Sequence, residues 1–189
     1  MDNKIVVGQK APQFEAVDVF GKNVKLSNYS NKYTLVVFLR YAGCPFCNLA
    51  LHRLAMEQQI LKESRCEVIA FIQSSKENII KNIYNRHEHK PEFSIIPDQA
   101  EKFYKLYDVK TSIKALVKSI TKIPYWIHSV KDLGFTQGKV DGNWLMVPAV
   151  FLIGEGEQKI IHVSYSADFY DTEALSDIYQ KLQFERVNQ

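Results

Sequence analysis

Cysteine is scarce in this sequence, three residues in 189, and that scarcity excludes a fold stapled by a disulfide framework. Long apolar runs are missing too. No stretch approaches the roughly 20 apolar residues of a membrane span. The start, Met1-Asp2-Asn3-Lys4, carries no apolar run of signal-peptide length. The expected compartment is therefore the cytoplasm, with no membrane partner. Charge of one sign is not concentrated: the net +3 comes without a run of Lys or Arg, which speaks against nucleic acid or a membrane surface as a partner. Internal repeats and low-complexity linkers are absent. What is present, 46% hydrophobic and 24% charged residues, suffices for one packed domain over 1–189.

The chain alternates between strand and helix signals. Phe14 to Phe20, a turn at Gly21-Lys22-Asn23, and Val24-Lys25-Leu26 read as an N-terminal β-hairpin. Tyr33-Thr34-Leu35-Val36-Val37-Phe38-Leu39 is a continuous β-branched and aromatic run, the pattern of a strand buried on both faces. Helical spacing follows in Leu49, Ala50, Leu54, Ala55, Ile60 and Leu61. Val68 to Ile72 is a second buried strand, and Ser74-Ser75-Lys76-Glu77 starts a helix carrying Ile79, Ile80 and Ile83. Phe93 to Ile96 is a third strand, broken by Pro97, after which Asp98 caps a helix with Phe103, Leu106 and Tyr107. Residues 108–146 read as an insertion of helix plus ordered loop. The sheet resumes at Val147 to Ile153, a hairpin leads into Lys159 to Val163, and a final helix spans Glu173 to Phe184. The expectation is an α/β domain: a central mixed sheet with helices on both faces, an N-terminal hairpin, and an insertion before the Pro-led strand.

Two of the three cysteines stand in Cys44-Pro45-Phe46-Cys47, at the junction of the first buried strand and its helix. An unperturbed thiol, with a pKa of about 8.5, is mostly protonated near neutrality, yet the thiolate is the nucleophile. Cys44 falls at the first turn of the helix, where unpaired N–H groups and the positive dipole end favour an anion. Pro45 suits that turn because its missing N–H costs no hydrogen bond there. Cys47 lies one turn on, within reach of Cys44. Arg40, at the end of the preceding strand, adds positive charge nearby. A C-x-x-C is also half of a zinc site, but a structural site wants four ligands. Cys66 and the histidines supply no second pair at ligand spacing, so neither metal nor cofactor is expected.

Other residues carry weaker signals. Cys66 reads as a plain buried thiol. His87 and His89, two apart, face different sides of a helix and read as solvated; His52 reads as a surface residue. Tyr125, Trp126 and Trp144 fit either core or groove lining, and Lys114, Lys118 and Lys122 fit a solvated helix face. Pro148 fits the start of a strand, and spacing alone does not decide between cis and trans at Val147–Pro148.

Four stretches resemble the AhpC/TSA peroxiredoxin-like branch of the thioredoxin superfamily. Gly8-Gln9-Lys10-Ala11-Pro12-Gln13-Phe14, with Asp18 and Gly21-Lys22, is similar to its N-terminal hairpin. Leu35 to Tyr41 running into Gly43-Cys44-Pro45-Phe46-Cys47 is similar to its active-site turn. Ile95-Ile96-Pro97-Asp98 with Leu106 to Val109, and Val147-Pro148-Ala149 to Ile153, complete the likeness. The resemblance implies a thioredoxin-like fold, a cis Pro148 facing the dithiol, and Cys44 and Cys47 as catalytic residues supported by Arg40, Tyr41, Pro45 and Pro148. It also exposes departures. If Cys47 takes the peroxidatic place, Cys44 stands where the family has Thr and Arg40 where it has Pro. Ala149 stands where an Arg is common.

The implied activity is a peroxiredoxin-like thiol–disulfide oxidoreductase, antioxidant in role, cycling Cys44/Cys47 between dithiol and disulfide. Its substrate is a protein disulfide or a peroxide, and its reductant is of thioredoxin or glutathione type. Thioredoxin logic makes Cys44 the attacking sulfur; peroxiredoxin logic allows Cys47. A glutaredoxin-like, glutathione-dependent activity and a non-catalytic redox-sensing or binding module stay open, as does a homodimer.

Overall fold

The structure is a computed structural model describing residues 4–168, 178 and 180–182. Seven strands are formed among them. β1 (Glu15–Val17) and β2 (Asn23–Lys25) make the expected hairpin. β3 (Tyr33–Leu39), β4 (Cys66–Ile72), β5 (Ser94–Pro97), β6 (Ala149–Ile153) and β7 (Ile160–Tyr165) make one sheet in the order β5-β4-β3-β6-β7. β3, β4 and β5 run parallel, while β6 and β7 are antiparallel to their neighbours, so the sheet is mixed.

β3 lies at the centre and all seven of its residues are buried. Its side chains alternate between two cores, as the period of a strand requires. Tyr33, Leu35, Val37 and Leu39 join the core beneath α1 (Pro45–Glu63) and α2 (Lys76–Ile79). Val36 and Phe38 join the opposite core, with Phe103, Tyr104 and Tyr107 of α3 (Lys102–Leu106) and its C-terminal end, and with the hairpin residues Phe14, Ala16 and Val24. A strand covered on both faces has no polar alternation to show, which is why the sequence run is unbroken. Phe38 stacks on Phe71 with ring centroids 4.8 Å apart and meets Tyr104 edge-on at 5.0 Å. The Tyr104 hydroxyl sits between the carbonyls of Leu39 and Phe71, tying the ends of the two central strands together.

Helix starts follow their caps. The Ser75 side chain accepts from the Asn78 N–H at 3.2 Å, and Asp98 accepts from the N–H groups of Lys102 and Phe103 at 2.9 and 2.7 Å. The insertion opens with α4 (Ile113–Ser119), capped by Ser112, and continues through a tighter turn into α5 (Ile123–Ile127), where Pro124 is accommodated in the first turn. A wide turn, His128–Asp132, leads into the loop that returns to β6. Tyr125, Trp126 and Trp144 are exposed, so none is a core residue. The expected helix at 173–184 lies largely outside the described residues, of which Ile178 and Leu182 are buried in the core beneath α1.

The Val147–Pro148 bond is trans, as is every peptide bond among the described residues, which corrects the cis bond implied by the resemblance. Backbone pairing on both sides holds this segment extended. Val147 N–H donates to Lys110 at 3.2 Å, Ser166 N–H donates to the Pro148 carbonyl at 3.0 Å, and Met146 bridges Thr111. Trans is also the ordinary preference of an X–Pro bond.

Phe38 fills the layer between β3 and the helix beyond, with no exposed surface. Phe38→Ala is expected to cost about 3–5 kcal/mol in urea unfolding, while Cys44 and Cys47, on the other face, keep their reactivity.

Candidate functional site

The site is built on the five-residue turn between β3 and α1, and every backbone carbonyl of Tyr41 to Pro45 has a partner. Tyr41 accepts from Cys44 N–H at 3.1 Å, and Gly43 from Gly138 N–H at 2.8 Å. Ala42 accepts from Asn48 Nδ2 at 2.6 Å. Cys44 accepts from Asn48 N–H and Nδ2, both at 3.0 Å, and Pro45 accepts from Ser129 Oγ at 2.8 Å. Ala42 N–H in turn donates to Ser74 Oγ at 2.8 Å, and Ser74 Oγ to Asp141 at 2.5 Å. A turn tied at each peptide has little freedom left, so it presents Cys44 in one geometry.

The sequence-predicted residues Arg40, Tyr41, Cys44, Pro45 and Cys47 come together here. Cys44 is the N-cap of α1, with Pro45 at its first position. All three cysteines are free, and Cys44 and Cys47 are each about 1% exposed. Arg40 is buried; its Nη1 lies 3.6 Å from Cys44 Sγ and its Nη2 donates to the Trp144 carbonyl at 2.6 Å. Its guanidinium also lies over the Tyr41 ring, 5.3 Å from the centroid.

Burial opposes ionisation of Cys44 but is outweighed. The Cys47 thiol hydrogen-bonds to the Cys44 sulfur, Arg40 adds its charge, and the N–H groups of Cys47 and Phe46 face the sulfur without closing a formal cap bond. The Cys44 pKa is lowered. Cys47 moves the other way, held protonated by burial, by its hydrogen bond to Cys44 and by the Cys44 charge. Tyr41 is raised to about 12, first by burial and then by Cys44. Cys66 is raised to about 12, mainly by burial, as befits an unreactive core thiol. The arrangement is one low-pKa thiolate beside one protonated thiol.

The insertion loop closes over this turn. Gly138 lies so near Gly43 that a Cβ on Gly43 would stand 2.7 Å from the Gly138 carbonyl carbon and the Lys139 oxygen. Gln137 hydrogen-bonds to the Tyr41 hydroxyl at 3.3 Å, Asp141 also accepts from Ser75 N–H at 3.0 Å, and Asn143 N–H donates to Gln73 at 2.8 Å. Residues 134–146 thus form a strap across the dithiol. Pro148 lines a cavity of about 240 Å³ with Lys4, Asp108, Lys110, Thr111 and Ser112.

Several site residues have no sequence signal of their own, among them Ser129, Gln137 and Asp141, and Ser74 reads only as part of a helix start. Asn48 adjoins the dithiol but belongs to no motif. His87, read as solvated, is buried: Nε2 lies 2.8 Å from Asn48 Oδ1 and the ring stacks on Phe135 at 4.3 Å. Because Asn48 Nδ2 is committed to two carbonyls, its oxygen faces His87, and His87 Nε2 carries the hydrogen. His52 is half-buried beside it. Burial, and then His52 and Arg86, lower the His87 pKa to about 4, so the ring is neutral.

A sequence model described as the AhpC/TSA family matches residues 7–163. No curated protein matches the sequence. Among solved structures, the chain is similar to "Peroxidoxin BcpB from Mycobacterium tuberculosis", at 15% identity and a TM-score of 0.67, covering 98% of this chain and 99% of that one. A "putative Thiol:disulfide interchange protein DsbE from Chlorobium tepidum" aligns at 17% identity and a TM-score of 0.64, covering 95% and 97%. A Plasmodium vivax 2-Cys peroxiredoxin in its reduced form gives 17% identity and 0.64, covering 95% and 98%. At these identities the likeness concerns the fold.

Two titrations test the electrostatics. Arg40→Met is expected to raise the midpoint of Cys44 ionisation, followed by thiolate absorbance, by about one to three pH units. His87 is neutral in the fold and takes up a proton on unfolding below its ordinary value. The stability it contributes is therefore present above about pH 6.5 and is lost as pH falls toward about 4. Unfolding free energy should drop by on the order of 3 kcal/mol across that window, and His87→Gln should flatten the drop.

Proposed function

The chain belongs to the AhpC/TSA family and has a thiol-based redox role; from that premise we propose a thiol–disulfide oxidoreductase in which Cys44 attacks and Cys47 resolves. One observation carries the assignment of roles: Cys44 holds the helix N-cap beside Arg40 and receives the Cys47 hydrogen bond. The Cys44 thiolate attacks a substrate disulfide, forming a Cys44 mixed disulfide and expelling the second sulfur as a thiolate that takes up a proton. Cys47 then gives up its proton and attacks the Cys44 sulfur. The first substrate sulfur leaves, and a Cys44–Cys47 disulfide remains. The substrate gains two electrons and the protein loses two. An external thiol of thioredoxin or glutathione type, as found in a reducing compartment, returns them.

Reduction of small hydroperoxides is a second reading, favoured by the enclosure of both sulfurs beneath the strap. There the thiolate attacks a peroxide oxygen, the O–O bond breaks, and the departing oxygen leaves as an alcohol or water after taking a proton. Cys44 sulfenic acid then loses water to Cys47 and yields the same disulfide. Arg40 replaces the usual peroxide-activating residues as the positive group at the sulfur.

Stopped-flow oxidation of the reduced protein separates the two. Cys44→Ser is expected to abolish turnover with either oxidant, and Cys47→Ser to trap a mixed disulfide on Cys44. If Cys47→Ser instead turns over normally while Cys44→Ser is trapped, the assignment of roles is wrong. Gly43→Ala, which displaces the strap, should speed the reaction with a protein disulfide more than that with hydrogen peroxide.

A further inference from the structure

The insertion carries a surface that the dithiol chemistry does not use. α4 turns its small residues inward: Ala115 and Ser119 are buried, with Ser119 Oγ donating to the Ala115 carbonyl at 2.7 Å. Three large apolar residues of the helix and the turn after it face outward. Ile113, Val117 and Ile120, at helical spacing, are 71%, 64% and 62% exposed. α5 continues the pattern with Ile123, Trp126 and Ile127, all exposed. An apolar stripe of this length on a helical path from Ile113 to Asp132 is unusual for a solvated surface and marks an interaction face.

Charge decides what covers it. Between Val109 and Lys131 the sequence has five lysines (110, 114, 118, 122 and 131) and neither Asp nor Glu. Lys110 pairs with Asp108 and Lys122 with Asp168, whereas Lys114, Lys118 and Lys131 are exposed. Two copies joined through this face would set Lys114, Lys118 and Lys131 of one against those of the other, so a self-complementary dimer is opposed by its own charge. We propose that this face docks on an anionic lipid bilayer, the isoleucines, Val117 and Trp126 entering the headgroup boundary while the lysines meet lipid phosphates. Outward apolar residues, a tryptophan and flanking lysines are the physical requirements for a helix lying in the membrane plane. This replaces the expectation of no membrane partner, which rested on the lack of a contiguous basic run. Lysines spaced along a helix beside an exposed apolar face serve the same end. No helix among the described residues is long and apolar enough to cross a membrane, so the contact is with the surface.

The test is sedimentation of the full-length reduced protein with vesicles, with tryptophan fluorescence as a second readout. Vesicles of equal parts phosphatidylcholine and phosphatidylglycerol are expected to retain the protein and shift its emission to the blue; phosphatidylcholine alone should retain it far less. Each lysine near an anionic surface contributes about a factor of five, so Lys114→Gln, Lys118→Gln and Lys131→Gln together should weaken binding on the order of 100-fold. Val117→Ser with Ile120→Ser, both exposed and so harmless to the fold, should abolish the fluorescence shift. Equal binding to neutral and anionic vesicles, or none to either, overturns the proposal. So does a dimer in solution that the same substitutions disperse, or retention by polyglutamate but not by lipid. Dithiol turnover without lipid should be unchanged in all these variants, which keeps a failure here distinct from a failure of the redox reading.

Discussion

Arg40 is buried against the Cys44 sulfur, and much of the site follows from that placement. A guanidinium does not shed its proton in a protein, so burying one obliges its surroundings to supply negative character. Its neighbours include the Trp144 carbonyl, the Tyr41 ring and the Cys44 sulfur. Of these, the sulfur becomes an anion most readily: burial has pushed the Tyr41 phenol out of reach. A second negative charge beside the first would be strongly opposed, so Cys47 keeps its proton and donates it. The asymmetry of the dithiol is thus set by burial and by the hydrogen bond from Cys47 to Cys44, and Arg40, which no spacing rule for C-x-x-C contains, adds its charge at the Cys44 sulfur.

Such an electrostatic arrangement needs a backbone that does not drift. The turn from Tyr41 to Pro45 gains that rigidity from outside itself. Asn48 reaches back along α1 to two of its carbonyls, His87 orients Asn48, and Gly138 and Ser129 reach in from the insertion. The close approach of Gly43 and Gly138 lets the strap lie directly on the turn, where any side chain would hold them apart. Rigidity and enclosure therefore share a cause. Whatever lifts the strap to admit a large substrate also removes the Gly138 hydrogen bond to Gly43 that helps fix the nucleophile's turn.

The sequence discloses the parts of this fold that depend on short-range pattern. Tyr33 to Leu39 and Val68 to Ile72 are legible as buried strands because a strand covered on both faces can carry no polar alternation. The dithiol is legible because a C-x-x-C directly after such a strand lands on a helix N-terminus. Arg40 is legible by adjacency alone. Long-range placement is not. His87 stands beside charged and polar residues and reads as solvated, yet the turn that carries it, just after the helical segment ending at Tyr84, stacks its ring on Phe135. The helical part of the insertion carries a misleading period, because Ile113, Val117 and Ile120 recur at helical spacing yet lie outward, while Ala115, Ser119 and Ser129 are buried. Pro148 shows the limit of likeness: the family pattern implies a cis bond, and the pairing around it here holds the segment extended in trans.

The inverted polarity of the insertion bears on how it is held. An ordinary amphipathic helix is fixed by the burial of its large side chains, about 1.5–3 kcal/mol for each. The described side chains that α4 buries are Ala115 and Ser119, and α5 buries none; the segment that follows is also held by individual polar contacts, such as Ser129 to Pro45 and Gly138 to Gly43. The chain passes from α5 through Ser129 and Phe135 into the strap without a break. A surface that covers the outer face and favours one arrangement of these helices must then bias the strap by the same free energy, by thermodynamic linkage. Attachment through a few polar contacts leaves that bias room to act, because each contact is worth only about 1 kcal/mol net. The outer face and the enclosed dithiol are two ends of one weakly anchored segment, and the physical chemistry of either is incomplete without the other.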